Sequence, residues 1–271
     1  TPIPRTLALV LYGDLDISII DEMPPGRKPV KTYAVDNSMR ERINAFIRKK
    51  VAEGRQVYIV CPLVEESDSI EAKSASQLAE KIAKEDFKDL RVGLVHGRMK
   101  QKDKDNIMSA FIRGEIDILV STTVIEVGVN VPNATVMVIE NAERFGLAQL
   151  HQLRGRVGRG EHQSYCILYN ESNNYVARER MKIMQKTNDG FIISEKDLEL
   201  RGPGEFFGTR QHGIPDLKIA NLYKDIEILK KAQEAAFEIL ERDRLLESDE
   251  NSKLREKVYE KIVGKFKELS V

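Results

Sequence analysis

The sequence predicts an α/β protein with a mainly parallel β-sheet, followed by a smaller helical region. Over about the first 170 of its 271 residues, short runs rich in Val and Ile alternate with amphipathic helical patterns. Several of these runs are apolar at every position, which is typical of strands buried on both faces of a parallel sheet. Strands that alternate with helices in this way predict a doubly wound, layered α/β structure.

The predicted strands and helices of the first part follow one another closely. The strands, in chain order, are Leu7–Tyr12, Val30–Val35, Val57–Cys61, Val92–Val95, Ile116–Val120, Val136–Ile139 and Tyr165–Tyr169. The first helix is predicted to begin at Ser38, because Ser38 and Glu41 have the spacing of a capping box, and to end near Gly54. Further helices are predicted at about Ala75–Glu85 and Lys102–Arg113.

The pattern changes from strands to helices after about residue 170. A helix at about Asn174–Lys186 precedes a glycine-rich stretch, Gly202–Gly213, in which Gly202 and Gly204 are predicted to form turns. Two long amphipathic patterns, within 226–240 and 254–269, end the chain, and their apolar stripes predict packing surfaces. We therefore divide the chain into residues 1–172 and residues 173–271.

The balance of charge excludes a bulk basic field as the basis of nucleic-acid binding. The chain has 43 Lys and Arg against 43 Asp and Glu, so its formal net charge is zero. Binding to nucleic acid would therefore need local basic patches. There is no Trp and only 6% of the residues are aromatic, so base-stacking surfaces of the kind that single-strand binders use are poorly supplied.

The cysteines and histidines predict neither disulfides nor a metal site. Cys61 and Cys166 each lie in an apolar run, and we interpret them as small buried hydrophobic residues in a reducing compartment. The histidines do not have the spacing of metal ligands. No apolar run approaches the roughly 20 residues that a membrane span needs. We therefore expect a cytoplasmic protein without a membrane partner.

The densest candidate for chemistry is the string Gln152-Leu-Arg-Gly-Arg-Val-Gly-Arg159, in which arginines alternate with glycines. Glycine lets a backbone approach a ligand closely, and arginine supplies a planar, permanently charged fork that suits phosphate oxygens. On a helix, Arg156 and Arg159 would project from one face. A solvated basic turn is the plainer interpretation of an arginine pair alone, but the complete string favours a functional site.

This string resembles motif VI, the arginine-finger motif of superfamily 2 helicases. Residues 121–132, Ser-Thr-Thr-Val-Ile-Glu-Val-Gly-Val-Asn-Val-Pro, resemble motif V of the same superfamily and follow a predicted strand. Weaker resemblances occur in the same order: residues 57–63 to motif IV, and residues 96–99 to a loop that contacts the nucleic-acid backbone. Residues 1–6 resemble the second half of motif III. Together the motifs imply a RecA-like, P-loop NTPase-type helicase C-terminal domain.

A longer string narrows the resemblance to two families. Residues 145–159 resemble both the RecG family of branched-DNA helicases and the transcription-repair coupling translocases. Both families carry a helical hairpin and loop after motif VI, and the resemblance implies that these elements convert ATP hydrolysis into movement along duplex DNA. Here the hairpin and loop would span about residues 175–213. Residues 11–28 and 197–213 resemble the RecG form, so the RecG family is the better match.

The resemblance implies a role for each matching residue. Arg156 and Arg159 would act on the γ-phosphate of ATP. The other implied roles are nucleotide binding by Glu126, Gly128, Asn130 and Gln152, contact with the DNA backbone by His96, Arg98, Thr122 and Thr123, and coupling of hydrolysis to movement by Arg180, Arg201, Arg210 and Gln211. A helix cap is the alternative for the run of hydroxyl residues before the motif V glutamate, and a solvated helix face is the alternative for Arg180.

Two nucleotide-binding motifs of such helicases are not found in the sequence. There is no Gly-x-x-x-x-Gly-Lys-Ser/Thr and no Asp-Glu-x-His or Asp-Glu-x-Gln box. In the RecG family these belong to a first motor domain behind an N-terminal wedge domain, and the resemblance implies both as partners, together with branched and duplex DNA. ATP and Mg²⁺ would be bound mainly by that first domain, so we expect the chain alone to be inactive as an ATPase. Two alternatives stay open: the same half of a transcription-repair translocase, and a nucleic-acid-binding module without catalysis.

Overall fold

The computed structural model describes residues 27–62, 77, 80–96, 99–121, 131–206 and 226–268. These residues fall into two compact units, one within 27–206 and one within 226–268. The first unit therefore continues past the change of pattern near residue 170, and the division after residue 172 stays a prediction. The predicted strand Leu7–Tyr12 lies outside the described residues, as do residues 75, 76, 78 and 79 of the predicted helix Ala75–Glu85. The other residues of that predicted helix, 77 and 80–85, are helical.

A six-stranded parallel sheet forms the centre of the first unit. The strands are β1 (Lys31–Val35), β2 (Gln56–Val60), β3 (Val92–Val95), β4 (Ile118–Ser121), β5 (Ala134–Ile139) and β6 (Tyr165–Tyr169). Their order across the sheet is β1-β6-β5-β2-β4-β3, and every neighbouring pair is parallel. Each strand begins and ends within about two residues of its predicted bounds, so the predicted mainly parallel α/β fold is confirmed.

Helices connect these strands and continue to the end of the described chain. They are α1 (Arg40–Ala52), α2 (Gln101–Ile112), α3 (Leu147–Arg154), α4 (Tyr175–Lys186), α5 (Gly190–Phe206), α6 (Ile226–Arg242) and α7 (Ser252–Glu268). A π-helical turn, Ile82–Asp86, precedes β3. In the part of the chain that the structure describes, none of the helices is long and apolar enough to span a membrane.

The start of α1 differs from the prediction. The Asp36 carboxylate accepts hydrogen bonds from the backbone N–H of Ser38, at 2.9 Å, and from the Ser38 hydroxyl. Asp36 thereby caps a 3₁₀ turn, Asn37–Met39, and α1 itself begins at Arg40. The predicted capping box is wrong, because the Ser38 hydroxyl donates to Asp36 within the 3₁₀ turn and does not cap α1.

The chain also remains helical at Gly202 and Gly204, where turns were predicted. Both glycines lie within α5, which continues to Phe206. Glycine weakens a helix, but most helical stability in proteins comes from tertiary packing and not from local propensity. Ile193 and Leu198, earlier in the same helix, are buried and anchor it to the unit.

Helices cover both faces of the sheet, which separates two hydrophobic clusters. Side chains alternate along the strands, so that Tyr58 of β2 lies in the first cluster and Ile59 lies in the second. Apolar side chains of α2, α3, α4 and α5 complete the first cluster. Those of α1 and of residues 82–90 complete the second. The arginine string therefore shares its side of the sheet with α4 and α5.

An ion pair covers part of the carboxyl edge of the sheet, the edge at which parallel α/β proteins place ligands. The Arg40 guanidinium donates to both carboxylate oxygens of Glu140, at 2.8 Å for Oε2. It also lies 3.8 Å from the centre of the Tyr169 ring. Because Glu140 follows β5 and Tyr169 ends β6, this pair covers the ends of those two strands.

The second unit contains α6, α7 and a turn organised by Asp243. The Asp243 carboxylate accepts hydrogen bonds from the Asn251 side chain at 2.9 Å and from the Ser248 hydroxyl at 2.7 Å, and these bonds hold its pKa well below the usual range. The predicted apolar stripes are 39–54% exposed at the positions Phe237, Leu240, Leu254 and Val258. These four side chains are therefore not buried within this unit.

Neighbouring residues at the end of α2 provide a test of this packing. Phe111 is fully buried, with its ring centre 4.9 Å from that of Tyr58, whereas Ile112 is 52% exposed. We expect Phe111→Ala to lower the free energy of unfolding by about 3–5 kcal/mol and Ile112→Ala by less than about 1 kcal/mol. Urea unfolding of both variants measures the difference, and equal losses would contradict the orientation of α2.

Candidate functional site

Helix α3 positions the predicted arginine string. Leu147, Leu150 and Leu153 follow one another at a spacing of three on one face, and all are buried in the first cluster. At the start of the helix, the Gln149 side chain accepts a hydrogen bond from the Gly146 N–H at 3.0 Å. Because the helix is fixed in this way, the loop that follows it, residues 155–160, has a defined position beside the sheet.

Two glycines allow the backbone of this loop to pack closely against neighbouring residues. Gly158 has a φ of +78°, and a Cβ atom there would lie 2.8 Å from Val30 Cγ2. A Cβ atom on Gly160 would lie 2.7 Å from the carbonyl oxygen of Pro132. A left-handed backbone and a close approach of two backbones both favour glycine over any other residue. The glycine spacing of the string is therefore explained by backbone geometry.

Arg156 and Arg159 lie in this loop and not on a helix. α3 ends at Arg154, and the chain continues in turns in which the Arg156 N–H bonds to Leu153 O at 3.0 Å. Arg159 folds back, so that its Nε–H donates to Gly155 O at 3.1 Å. The expectation of one helix carrying both arginines is wrong, because the left-handed Gly158 lies between them.

The arginine pair makes this part of the unit electrostatically positive. Burial, together with the charges of Arg156 and Arg27, lowers the pKa of Arg159. Burial raises the pKa of the Tyr58 hydroxyl to about 12, and the two loop arginines oppose that rise. No carboxylate of the described residues forms an ion pair with Arg156 or Arg159. Half-buried guanidiniums without a described carboxylate partner suit an anionic ligand such as a phosphate group.

Arg154, the first arginine of the string, is buried and only 2% exposed. Its Nη1 donates to the carbonyl oxygens of Met184 at 2.8 Å and Thr187 at 2.9 Å, and to Thr32 Oγ1 at 3.3 Å. Its Nη2 lies 3.1 Å from Nδ1 of His151. Because Met184 and Thr187 belong to the end of α4, Arg154 joins the arginine string to the following pair of helices.

α4 and α5 form a helical hairpin that packs beside α3. The Asn174 side chain accepts the Val176 N–H at 2.8 Å and caps α4. The Asp189 side chain accepts the Phe191 N–H at 2.8 Å at the start of α5. Both side-chain caps are typical of helix N-termini, so the hairpin has defined ends on each side of its short connection.

Arg180 of α4 is directed at the segment before α3. Its Nη1 lies 3.5 Å from the carbonyl oxygens of Glu143 and Phe145. The Arg180 Nε and the Glu143 Oε2 atoms are both buried and make no hydrogen bond within the described part of the chain. Arg180 is half-buried. The alternative of a solvated helix face therefore does not describe it.

The remaining predicted site residues are only partly described. His96 follows β3, and its buried Nδ1 makes no hydrogen bond to the described residues. Gln152 is half-buried on α3, and Arg201 lies in α5. The other predicted positions lie outside the described residues: Arg98, Thr122, Thr123, Glu126, Gly128, Asn130, Arg210 and Gln211.

The cysteines match the prediction of small buried residues. Cys61 and Cys166 are both free and buried, and burial raises the pKa of each thiol to about 12. Within the described ranges, no group of three His, Cys, Asp or Glu residues is arranged to hold a metal ion.

Known protein families match consecutive parts of the chain. Residues 38–161 match the helicase conserved C-terminal domain, and residues 187–265 match ATP-dependent DNA helicase RecG, domain 3, C-terminal. The ATP-dependent DNA helicase RecG of Synechocystis sp. is 52% identical over 265 residues, which is 97% of this chain and 32% of the relative. The chain belongs to the RecG family.

Other RecG proteins agree with this assignment. The RecG helicase of Bacillus subtilis is 51% identical over 258 residues, which is 95% of this chain and 38% of the relative. A solved structure of RecG bound to a three-way DNA junction is 51% identical, with a TM-score of 0.66, and the match covers 85% of this chain and 30% of that one. The chain thus spans 32–38% of the length of these RecG relatives and has their RecA-like helicase fold. The match to a RecG domain at 187–265 favours RecG over the transcription-repair translocases.

Sequence reasoning assigned no role to Arg154 in this RecG-family chain. The sequence does indicate that Arg154 is buried, because Leu147, Leu150 and Arg154 are spaced three and four residues apart and so lie on the same helix face. An arginine on an apolar helix face indicates a buried, fully hydrogen-bonded guanidinium. The motif resemblance drew attention to Arg156 and Arg159 instead.

The glycines of this RecG loop give a stability test. Gly158→Ala places a side chain at positive φ and against Val30, so we expect a loss of about 1–2 kcal/mol or more in unfolding free energy. Gly155→Ala is the matched control, because Gly155 has room for a Cβ, its nearest neighbour lying at 3.4 Å, and should change stability by less than about 0.5 kcal/mol. Urea unfolding compares them, and a harmless Gly158→Ala would contradict the loop geometry.

His151 should make the stability of the unit sensitive to acid. Burial, and then the charge of Arg154, lowers the pKa of His151 to about 4, while Asp189 opposes this. The unfolded chain, with an ordinary histidine pKa near 6.5, therefore binds more protons between about pH 6.5 and 4, and stability falls as the pH is lowered through that window. We expect a loss of about 1–3 kcal/mol, at about 1.4 kcal/mol per pKa unit.

The matched variant for this pH dependence is His151→Gln, which keeps an acceptor for Arg154 but does not titrate. Its unfolding free energy should change less than that of the wild type between pH 6.5 and 5, above the range in which most carboxylates titrate. Chemical denaturation at a series of pH values measures both profiles. Parallel profiles would show that His151 is not the titrating group.

Proposed function

We propose that this chain is the second motor domain, with its translocation hairpin, of an ATP-dependent DNA helicase that translocates on duplex DNA and remodels branched DNA in recombination and repair. The observation that carries the proposal is the pair of half-buried arginines on the glycine-held loop after α3, next to a helical hairpin. Membership of the RecG family supports the reaction class. The complete protein would act in the cytoplasm, with a wedge domain and a first motor domain as partners of this region.

Arg156 and Arg159 would stabilise the transition state of ATP hydrolysis. The γ-phosphate of bound ATP gains negative charge on its oxygens as the bond to the leaving group breaks, and guanidiniums neutralise such charge. Both arginines are positioned by backbone constraints and have no described carboxylate partner, so they fit an incoming phosphate. The first motor domain would bind most of the triphosphate and Mg²⁺, with Glu126, Gly128, Asn130 and Gln152 of this chain contributing to the nucleotide side.

Contacts with DNA would come from a separate group of residues after β3 and β4. His96 and Arg98 follow β3, and Thr122 and Thr123 follow β4, so all would lie at the carboxyl edge of the sheet. The zero net charge of the chain supports local contacts to phosphates in place of a broad basic surface. A RecG structure bound to a three-way DNA junction supports branched DNA as the substrate.

The hairpin would couple hydrolysis to movement on DNA. Arg180 contacts carbonyl oxygens of the segment that leads into α3 at 3.5 Å. A shift of residues 155–160, the arginine loop, could therefore reach α4 through α3 and these contacts. Arg201 in α5, and Arg210 and Gln211 beyond it, would continue this connection to the DNA. Coupling of this kind requires packed elements with two arrangements, and α3, α4 and α5 share one core.

The role of Arg159 can be tested in the full-length protein that carries this chain. Arg159→Ala should reduce DNA-stimulated ATP hydrolysis by about 10³-fold or more, while nucleotide affinity stays nearly unchanged. Arg159→Lys should restore little, because an ammonium cannot replace the planar fork. Steady-state ATPase on forked DNA and binding of a fluorescent nucleotide measure the two effects.

Two controls accompany this test. Arg48→Ala removes an arginine of α1 that pairs with Asp89 on the other side of the sheet, and should leave hydrolysis intact. The 271-residue chain alone should not hydrolyse ATP. Arg159→Ala retaining more than about a tenth of the activity would refute the proposed role, since arginine fingers contribute far more.

The coupling role of Arg180 has a matched control on the same helix. We expect Arg180→Ala to keep most DNA-stimulated ATP hydrolysis but to unwind fewer base pairs per ATP, by about fivefold or more. Arg178→Ala should behave as the wild type, because Arg178 is exposed and, among the described residues, its side chain bonds only to Asn173, at 2.8 Å. Fork unwinding and ATPase on the same preparations measure the ratio, and an equal loss of both rates in Arg180→Ala would argue for a structural role instead.

A further inference from the structure

Arg154 is a buried cation without a described counter-ion. Among the residues that the structure describes, its guanidinium is held by neutral acceptors: the carbonyl oxygens of Met184 and Thr187, the Thr32 hydroxyl and the His151 ring. Burial lowers the pKa of Arg154. Burying a charge is costly unless it is fully hydrogen-bonded, so an arginine here must be compensated by these contacts.

The end of α4 provides compensation of the right sign. The last carbonyl groups of a helix have no partners within the helix and form the negative end of its dipole. Met184 is in the last turn of α4, and Thr187 is the residue directly after it. A cation with two N–H···O bonds of 2.8 and 2.9 Å at this position both satisfies the carbonyls and favours the helix end.

The backbone of the same residue is hydrogen-bonded to the arginine loop. The carbonyl oxygen of Arg154 accepts the Val157 N–H at 3.2 Å, in the turn 154–157 with which the loop begins. One residue therefore bonds through its main chain to the loop proposed to respond to the nucleotide, and through its side chain to the end of the first hairpin helix. There is no intervening residue between the two connections.

We propose that Arg154 is a positioning residue that fixes the end of α4 and the hairpin connection to the arginine loop, so that displacement of the loop moves the hairpin. The inference rests on the proposed motor function. It differs from the role of Arg180, which contacts the chain before α3 and lies nearer the middle of α4. Arg154 acts at the other end of α3, beside the arginines themselves.

His151 keeps the guanidinium of Arg154 oriented. An arginine can only donate, so the Nδ1 atom at 3.1 Å must accept, and the ring proton of a neutral His151 is then on Nε2. Burial and the neighbouring cation both favour the neutral ring. Arg154 is thereby flanked by acceptors from α3, β1 and the end of α4, which defines one geometry for the contact.

A matched control separates positioning from simple stability. Gln56 is also buried, and its Nε2 donates to two carbonyl oxygens near the end of another helix, Phe111 O at 2.6 Å and Ile116 O at 2.8 Å. It has the same type of contact as Arg154 but is bonded to α2 and not to the hairpin. Arg154→Met and Gln56→Leu should therefore both lower the melting temperature, while only the first should change coupling.

The experiment uses the full-length protein with wild-type sequence, Arg154→Met, Arg154→Lys and Gln56→Leu. Arg154→Met should keep ATP hydrolysis within about threefold of the wild type and reduce base pairs unwound per ATP by about tenfold, as expected for loss of coupling between sites. Arg154→Lys keeps the charge but can make fewer directed bonds. Its yield, the number of base pairs unwound per ATP, should therefore lie between those of the wild type and Arg154→Met. The Lys variant also serves if the Met variant does not fold. Gln56→Leu should keep the wild-type yield.

Hydrogen exchange gives a second readout that does not depend on motor activity. Amides of residues 183–192 should exchange about tenfold faster in Arg154→Met than in the wild type, because the contact that opposes local opening of this segment is removed. Gln56→Leu should leave them unchanged. An unchanged unwinding yield in both Arg154 variants, or an equally large drop of that yield in Gln56→Leu, would overturn this inference but not the proposed function. A wild-type protein without DNA-stimulated hydrolysis would overturn the proposed function, and exchange would still report whether the contact with α4 exists.

Discussion

The need to bury a parallel sheet on both faces determines most of the first unit. Strands such as β2, β4 and β5 are mostly apolar and are buried at every position, so neither face can be left in water. One face is covered by α1 and residues 82–90, and the other requires α2, α3, α4 and α5 together. The arginine loop and the hairpin consequently pack in the same hydrophobic cluster.

Three arginines in one short string have different environments, and the backbone accounts for the difference. Arg154 is the last residue of α3 and faces the core, where carbonyl oxygens accept its hydrogen bonds. Arg156 and Arg159 come after the helix has ended, in a loop whose shape depends on Gly158 and Gly160. The same side chain thus serves as an internal contact in one position and as a half-buried positive group in two others.

Much of the fold could be predicted from the sequence, because fully apolar strands and amphipathic helices leave strong patterns. β3 and β6 have their predicted bounds, and the strings of motifs V and VI indicated the family. Local competition is harder to predict: Asp36 caps a 3₁₀ turn where Ser38 was expected to cap the helix, and α5 remains helical through Gly202 and Gly204. Pattern and resemblance identified the loop arginines, but only three-dimensional contacts show which carbonyl groups surround Arg154.

The shared cluster has a consequence for how this protein can be divided. Met181, Met184 and Ile193 of the hairpin pack in the same cluster as Leu150 and Leu153 of α3. A truncation after residue 172 would expose that apolar surface to water and would leave the Arg154 guanidinium inside it without the α4 carbonyl oxygens. The hairpin is therefore part of the same folding unit as the sheet that carries the arginine loop, and we expect neither to keep its structure without the other.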